Sequence, residues 1–97
     1  MTYRFLSPAL REATEAAQYY ENQVPGLGAD FVEELDVAID LILRFPNAWA
    51  RLSEEYRHCN LQRFPFTIIY IVEQDYRILI ISVFNQSREP LSWEQNL

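Results

Sequence analysis

The residues that could carry out chemistry are concentrated in the second half of the chain, where arginines stand among aromatic side chains. Arginine suits phosphate because its guanidinium group makes paired hydrogen bonds and keeps its charge. A site that cleaves RNA through the 2′-hydroxyl would use such groups to hold the phosphate, with a histidine as general acid or base. The candidates of this kind are Arg57, His58, Arg63, Tyr70, Arg77, Arg88 and Trp93.

Other catalytic signatures are missing from the sequence. One cysteine and one histidine cannot close a tetrahedral zinc site, and both glycines stand in one turn rather than in a phosphate-binding loop. His58 and Cys59 are neighbours on an apparent strand, so their side chains point to opposite faces and do not pair as base and nucleophile. The sequence therefore predicts neither a metal ion nor a cofactor, and its single cysteine excludes an internal disulfide.

The charged residues are unusual in type and unevenly distributed. All eight basic residues are arginines, and fourteen acidic residues bring the net charge to −6. Residues 1–56 hold four arginines and ten acids, whereas residues 57–97 hold four of each. This balance argues against general nucleic-acid binding, which needs a net basic surface. No stretch resembles a signal peptide or is long enough to cross a bilayer, so we expect a cytoplasmic protein with no membrane partner.

Two helices are predicted in the first half of the chain. Ser7 and Pro8 favour a helix start in which the serine hydroxyl caps free N–H groups. The first helix is expected to end at a turn over 25–28, and the second at Pro46. Because the turn between the two helices is so short, they are expected to pack as an antiparallel hairpin. The expected buried positions are Leu10, Ala13, Ala17 and Tyr20 in the first helix and Phe31, Val32, Leu35, Ala38, Ile39, Ile42 and Phe45 in the second.

The hydrophobic period changes from helical to alternating in the second half. Residues 57–63 alternate, and residues 66–72 and 77–84 are nearly all β-branched or aromatic. A short strand is also expected at 2–6. The sequence therefore predicts one α+β domain over 1–97 with the order β-α-α-β-β-β, in which the helical hairpin packs on one face of a small antiparallel sheet.

A series of motifs along the chain resembles the RelE/ParE toxin superfamily of type II toxin–antitoxin systems. The resemblance covers nearly the whole chain, in the right order. It implies the β-α-α-β-β-β fold and a toxin that a cognate antitoxin neutralises by direct binding. The motifs are Ser7-Pro8-Ala9, Tyr19-Tyr20, Pro25-Gly26-Leu27-Gly28 leading into Phe31 and Leu35, Phe45-Pro46, Arg63-Phe64-Pro65-Phe66 with Ile68-Ile69-Tyr70, and Arg88-Glu89-Pro90-Leu91-Ser92-Trp93.

The superfamily has two functional branches, and the residues help to choose between them. The resemblance implies that RelE-like members are ribosome-dependent mRNA endonucleases, with catalytic lysines and arginines on the sheet. At the positions where those enzymes hold lysines, this sequence has His58 and Asn60, and at a position where they hold an arginine it has Thr67. Arg88 fits a basic residue near the C-terminus, and Trp93 stands near the place of a terminal tyrosine. Because most of that basic set is absent, the resemblance favours the ParE-like branch, whose members inhibit DNA gyrase by binding rather than by catalysis.

The leading hypothesis is a ParE-like toxin that binds a cellular target, DNA gyrase, serves plasmid stabilisation and is held inactive by an antitoxin. We expect the antitoxin to lay an amphipathic segment beside the helical hairpin or along the sheet. One alternative is a RelE-like endonuclease that acts on ribosome-bound mRNA with Arg63, Arg88 and His58. Another is a non-toxic protein of the same fold that only binds an antitoxin. The candidate target-contact residues are Arg57, Arg63, Arg88 and Trp93.

Overall fold

The structure, a computed structural model, describes residues 2–97 and follows the predicted order of elements. Within those residues no helix combines the length and apolar character needed to cross a membrane. The elements are β1 (Tyr3–Phe5), α1 (Ser7–Gln23), α2 (Leu27–Arg44), β2 (Arg57–Asn60), β3 (Phe66–Val72), β4 (Ile78–Asn85) and a 3-10 helix (Ser92–Asn96).

The four strands form one sheet in the order β1-β4-β3-β2. The last three strands are antiparallel neighbours, as predicted. The first strand pairs with β4 in parallel, with Tyr3 opposite Ile78 and Phe5 opposite Ile80. The sheet is therefore mixed, and the expectation of a wholly antiparallel sheet is wrong. Tight turns make neighbouring strands antiparallel, whereas β1 and β4 are joined through the rest of the domain, so no turn sets their relative direction.

The helical hairpin covers one face of the sheet, as predicted, and forms the main core with it. In α2 the predicted stripe is confirmed at five positions, while Val32 and Phe45 are exposed. Phe45 lies just beyond the last residue of α2. The five confirmed positions are Phe31, Leu35, Ala38, Ile39 and Ile42.

The predicted apolar stripe of α1 is confirmed in part. Ala13 is buried, and Ala17 and Tyr20 are half-buried against the main core. Leu10 is 52% exposed, so its prediction is wrong, and Ala9 and Ala16 are buried in addition. The helix packs against both β4 and α2, so its apolar residues face two directions and only some of them reach the sheet. The predicted cap at Ser7 is also wrong. Ser7 is itself the first helical residue, because the chain passes from β1 into the helix with only Leu6 between them, and no side chain caps the start.

The turn between the helices depends on Glu21 and two glycines. Gly26 adopts φ 90°, a left-handed conformation that favours glycine. A Cβ on Gly28 would lie 2.6 Å from the carbonyl oxygen of Ala17, so only glycine fits where the helices approach. The Glu21 carboxylate accepts the backbone N–H of Gly26 at 3.0 Å and that of Gly28 at 3.1 Å. The turn is therefore held by the helix that precedes it.

Candidate functional site

The face of the sheet opposite the helices carries a second, smaller apolar cluster. Ile69, Leu79 and Ile81 are buried there beneath Trp93 of the C-terminal 3-10 helix. The Trp93 ring lies 5.0 Å from that of Tyr56. Trp93 is only 6% exposed, so it offers little surface to a partner and instead fixes the C-terminal segment on the sheet.

His58 lies on the edge strand β2 beside Ile69 of β3, on the same side of the sheet as that second cluster. Its neighbour Cys59 is buried in the main core under the helices, which confirms that the two side chains point to opposite faces. Burial raises the pKa of the Cys59 thiol to about 11. A thiol that stays protonated at neutral pH is a poor nucleophile, so this pair does not form a catalytic dyad.

The two sheet positions where RNA-cleaving relatives are expected to hold further cations are occupied by neutral side chains bonded to one another. The Thr67 hydroxyl donates to Asn60 Oδ1 at 2.6 Å. The Gln86 amide donates to Thr67 Oγ1 at 3.0 Å and to the carbonyl oxygen of Phe66 at 3.2 Å. This chain of hydrogen bonds carries no charge, so it cannot neutralise a phosphate. The sequence had placed Asn60 and Thr67 at these positions but gave no indication of Gln86.

Arg57 is tied to the loop before its own strand. Its guanidinium group donates to the carbonyl oxygen of Trp49 at 2.8 Å in a half-buried position. Its strand partner in register is Tyr70, whose hydroxyl donates to the carbonyl oxygen of Pro46 at 2.7 Å. Both contacts anchor the segment that links α2 to β2, which gives Arg57 a structural role in addition to any contact with a target.

The alternation of 57–63 predicts a strand that includes Arg63, but this prediction is wrong at its end. β2 stops at Asn60, so Arg63 lies in the loop between β2 and β3. Its guanidinium group forms an exposed ion pair with Asp30, 3.5 Å away, and lies 5.5 Å from the centre of the Phe64 ring. The backbone N–H groups of Gln62 and Arg63 both donate to the Glu34 carboxylate. The loop is therefore fastened to α2, and the Arg63 side chain remains on the surface.

Arg88 follows β4 and pairs with Glu12 of α1 at 3.7 Å. It lines a concavity of about 450 Å³ together with Tyr19, Tyr20 and Glu15. Burial, with a smaller contribution from Tyr19, raises the pKa of the Tyr20 hydroxyl, so this phenol stays neutral at physiological pH. The concavity combines one arginine with two carboxylates, which makes it a poor anion site.

The structure does not gather the arginines into one site. Arg63 lines a separate hollow with Asp30, Glu33 and Glu34, and Arg57 lines another with Glu54, Glu55 and Glu73. Each arginine therefore shares its hollow with carboxylates, and Arg57, Arg63 and Arg88 lie in three different hollows. In residues 2–97 no group of three or more histidine, cysteine or acidic side chains is placed to hold a metal ion.

Glu12 also belongs to this region, and none of the sequence motifs includes it. One of its carboxylate oxygens accepts the Ser82 hydroxyl at 2.9 Å, the Val83 N–H at 3.1 Å and the Asn96 amide at 3.0 Å. A signal was present, because Glu12 falls at helical spacing among the buried residues Ala9, Ala13 and Ala16. An acid on the buried face of a helix needs partners, and here it finds them on β4.

The fold described above is that of known bacterial toxin structures. A chain of the chromosomal ParDE toxin–antitoxin system from P. aeruginosa superimposes with a TM-score of 0.76 at 19% identity, covering 88% of this chain and 95% of that one. The isolated E. coli RelE toxin superimposes with a TM-score of 0.67 at 19% identity, covering 97% and 93%. No curated protein sequence matches the chain.

The solved structures match both the ParE-like and the RelE-like branch, whereas a family model matches only on the ParE side. The model described as the ParE toxin of the type II toxin–antitoxin system parDE matches residues 3–90. Because the match spans most of the chain, this protein belongs to the ParE toxin family of type II toxin–antitoxin systems.

Proposed function

We propose that this protein is a toxin that acts by binding a cellular target, DNA gyrase, and that a cognate antitoxin holds it inactive. Membership of the ParE family supports both parts of the proposal. The observation that most supports a function by binding, rather than by catalysis, is the neutral hydrogen-bonded row of Asn60, Thr67 and Gln86. Cleavage of RNA creates charge on the phosphate, and a row without cations cannot offset it.

The separation of the arginines supports the same choice. A nuclease would need Arg63, Arg88 and His58 around one phosphate, but Arg63 and Arg88 line different hollows. Single arginines on an exposed surface suit a protein partner, because a guanidinium group can pair with carboxylates and pack on aromatic rings. Arg63 and Arg88 are the exposed candidates for such a contact, since Trp93 is buried and Arg57 is bound to the Trp49 carbonyl oxygen.

The first experiment expresses the chain from a tightly controlled promoter, with and without the neighbouring gene. Growth arrest without that gene and normal growth with it are the expected results. Plasmid supercoiling and the integrity of ribosome-bound mRNA are followed in the same cells. Loss of negative supercoiling with intact mRNA supports gyrase as the target. Cut mRNA with unchanged supercoiling would show a RelE-like nuclease instead, and normal growth throughout would leave only a non-toxic antitoxin-binding protein.

A matched pair of variants then ties the toxicity to the proposed surface. Arg63→Ala and Arg44→Ala each remove one exposed arginine that pairs with an aspartate, at 3.5 Å and 3.1 Å respectively. Each loss should change stability little, since such surface pairs contribute roughly 0–1 kcal/mol. We expect Arg63→Ala to weaken growth arrest and gyrase inhibition at least several-fold, and Arg44→Ala to leave both unchanged. Equal toxicity of the two variants would remove Arg63 from the target surface.

A further inference from the structure

The turn between β3 and β4, residues 73–77, is here called the β3–β4 tip. Its backbone is closed by hydrogen bonds, because the N–H of Glu73 donates to the carbonyl oxygen of Arg77 at 2.8 Å and the N–H of Tyr76 donates to the carbonyl oxygen of Glu73 at 2.9 Å. The Arg4 guanidinium group of β1 donates to the Glu73 carboxylate at 3.4 Å. The tip is therefore an ordered turn that is fastened to β1.

Tyr76 occupies the position of this turn that least suits its side chain. Its φ is 60°, a left-handed conformation that glycine or asparagine adopts with less strain. Within residues 2–97 only Leu91 also combines a positive φ with a side chain. A tyrosine makes this turn less stable than a glycine would, so the requirements of the turn do not account for Tyr76.

Packing does not account for Tyr76 either. The residue is 72% exposed, the highest value among the large hydrophobic residues that the structure describes. An aromatic ring left in water contributes little to the fold, whereas tyrosine is among the residues that contribute most to protein–protein contacts. Strained residues concentrate where they serve a function, so the exposed ring points to a partner.

The next residue adds an available charge to the same surface. Arg77 is exposed, and the ion pairs formed within residues 2–97 do not include it. It lines a hollow of about 320 Å³ with Arg4, Glu73 and Asp75. Because Glu73 is already paired with Arg4, the guanidinium group of Arg77 is available to a carboxylate of another molecule.

The β3–β4 tip also meets the physical requirements of a docking anchor. Tyrosine has only two side-chain torsions, so little conformational freedom is lost when its ring is buried by a partner. The closed turn and the ion pair to β1 fix the backbone beforehand, which lowers the cost of association. A fitting partner offers a recess with apolar walls for the ring and a carboxylate beside it.

We propose that the β3–β4 tip is a contact surface for the target, in which Tyr76 inserts into a recess of DNA gyrase and Arg77 pairs with a carboxylate beside that recess. The inference rests on the proposed function in taking gyrase as the partner. Arg63 precedes β3 and the tip follows it, so the two contacts lie at opposite ends of that strand. The strand has seven residues, about 20 Å, so one partner can reach both.

Three variants at position 76 separate a contact from an effect on stability. Tyr76→Gly and Tyr76→Asn remove the ring and relieve the strain, whereas Tyr76→Phe keeps both. We expect the first two to raise the melting temperature by a few degrees while weakening binding to purified DNA gyrase at least about tenfold. Tyr76→Phe should bind within about threefold of the unchanged chain. Undiminished gyrase binding by Tyr76→Gly and Tyr76→Asn would overturn the proposal.

Arg77→Glu and Arg11→Glu form a matched pair for the charge. Both positions hold exposed arginines outside the ion pairs of residues 2–97, and only Arg77 lies at the tip. We expect Arg77→Glu to weaken gyrase binding at least about tenfold at low salt and less at high salt. Arg11→Glu should change it less than about twofold. Equal effects would show a response to net charge alone and would overturn the role of Arg77.

Growth arrest by the same variants separates this inference from the proposed function. A chain that arrests growth and binds gyrase, with Tyr76→Gly doing both equally well, would overturn the tip and leave the proposed function intact. A chain that neither arrests growth nor binds gyrase would refute the proposed function and the inference with it. Toxicity that is lost in Tyr76→Gly, although the unchanged chain does not bind gyrase, would support the tip and refute gyrase as the partner.

Discussion

The carboxylate of Glu12 accepts the backbone N–H of Val83, 3.1 Å away, at the edge of β4 where β1 has already ended. Asn96 donates to the carbonyl oxygen of Ile81 at 3.0 Å along the same edge. Side chains from α1 and from the C-terminal segment therefore take the place of a strand. Open strand edges invite pairing with other chains, so these contacts also protect the sheet.

Replacing Glu12 with alanine should destabilise the fold. The Ser82 hydroxyl is fully buried, and it would lose its acceptor together with the N–H of Val83. A buried group left without a partner costs about 1–3 kcal/mol. We expect a loss of unfolding free energy in that range or above it, measured by urea denaturation.

Arg88→Ala is the matched control for Glu12→Ala. It removes only the partly exposed ion pair at 3.7 Å, and such pairs contribute roughly 0–1 kcal/mol. Glu12→Gln should keep most of the stability, because its amide oxygen can still accept hydrogen bonds. A Glu12→Ala protein as stable as the Arg88→Ala protein would show that the β4 edge does not depend on this carboxylate.

Gly28→Ala should disturb the contact between the two helices. The new Cβ would lie 2.6 Å from the Ala17 carbonyl oxygen and 2.9 Å from Glu21 Cβ, so backbone must shift. Overpacking of this kind costs about 1–3 kcal/mol. Gly26→Ala meets nothing within 4 Å and carries only the strain of its φ of 90°, roughly 1 kcal/mol. Thermal unfolding of both variants is the measurement. A lower melting temperature for Gly26→Ala than for Gly28→Ala would contradict the prediction.

Stability should fall at alkaline pH because of Tyr70. Burial raises the pKa of its hydroxyl to about 12, against about 10 in an unfolded chain. The unfolded state therefore loses its proton first, so the stabilisation is complete below about pH 10 and is lost as the pH rises through the folded value. Cys59 acts in the same direction, with its pKa raised to about 11.

The check is the urea midpoint measured between about pH 8 and pH 11. Tyr70→Phe should lose about 1 kcal/mol at neutral pH, for the hydrogen bond to the Pro46 carbonyl oxygen, and should show a shallower decline at high pH. Tyr76→Phe is the control, since Tyr76 is 72% exposed and its loss should leave the decline unchanged. Identical profiles for all three proteins would contradict the assignment.

Arg57 and Arg63 should respond differently to alanine. Arg57 donates to the carbonyl oxygen of Trp49 in a half-buried position, so Arg57→Ala should cost about 1.5–3 kcal/mol, as for bonds to charged groups. Arg63 makes an exposed pair, and its loss should cost less than about 1 kcal/mol. Circular dichroism melts compare the two variants. Loss of toxicity in Arg57→Ala would therefore report on folding, whereas loss in Arg63→Ala would report on a contact.

The sequence predicted those parts of the fold that local patterns control. Helical spacing located Phe31, Leu35 and Ile42 in the core, and β-branched runs located β3 and β4. It could not predict the parallel pairing of β1, because no turn connects β1 to β4. The sequence also could not predict that Leu10 is exposed. Because α1 packs against both α2 and β4, the spacing of its apolar residues does not show which of them face the core.

The candidate site was less predictable than the fold. Residue types and order placed His58, Asn60 and Thr67 on the sheet, where the structure also has them. Whether Arg63 and Arg88 share a site depends on loops after β2 and β4, whose course no periodicity describes. Glu12 could have been suspected from its position on a buried helical face, but its partners lie at the opposite end of the chain.

The pairing of β1 with β4 has a consequence for synthesis on the ribosome. The hairpin of α1 and α2 can form early, but Tyr3–Phe5 must wait for Ile78–Ile80 before their hydrogen bonds exist. A protein whose first and last strands are partners has high contact order and completes its sheet late. The surfaces that depend on the finished sheet therefore appear only when translation of the domain is nearly over, whereas the helical hairpin can be in place before them.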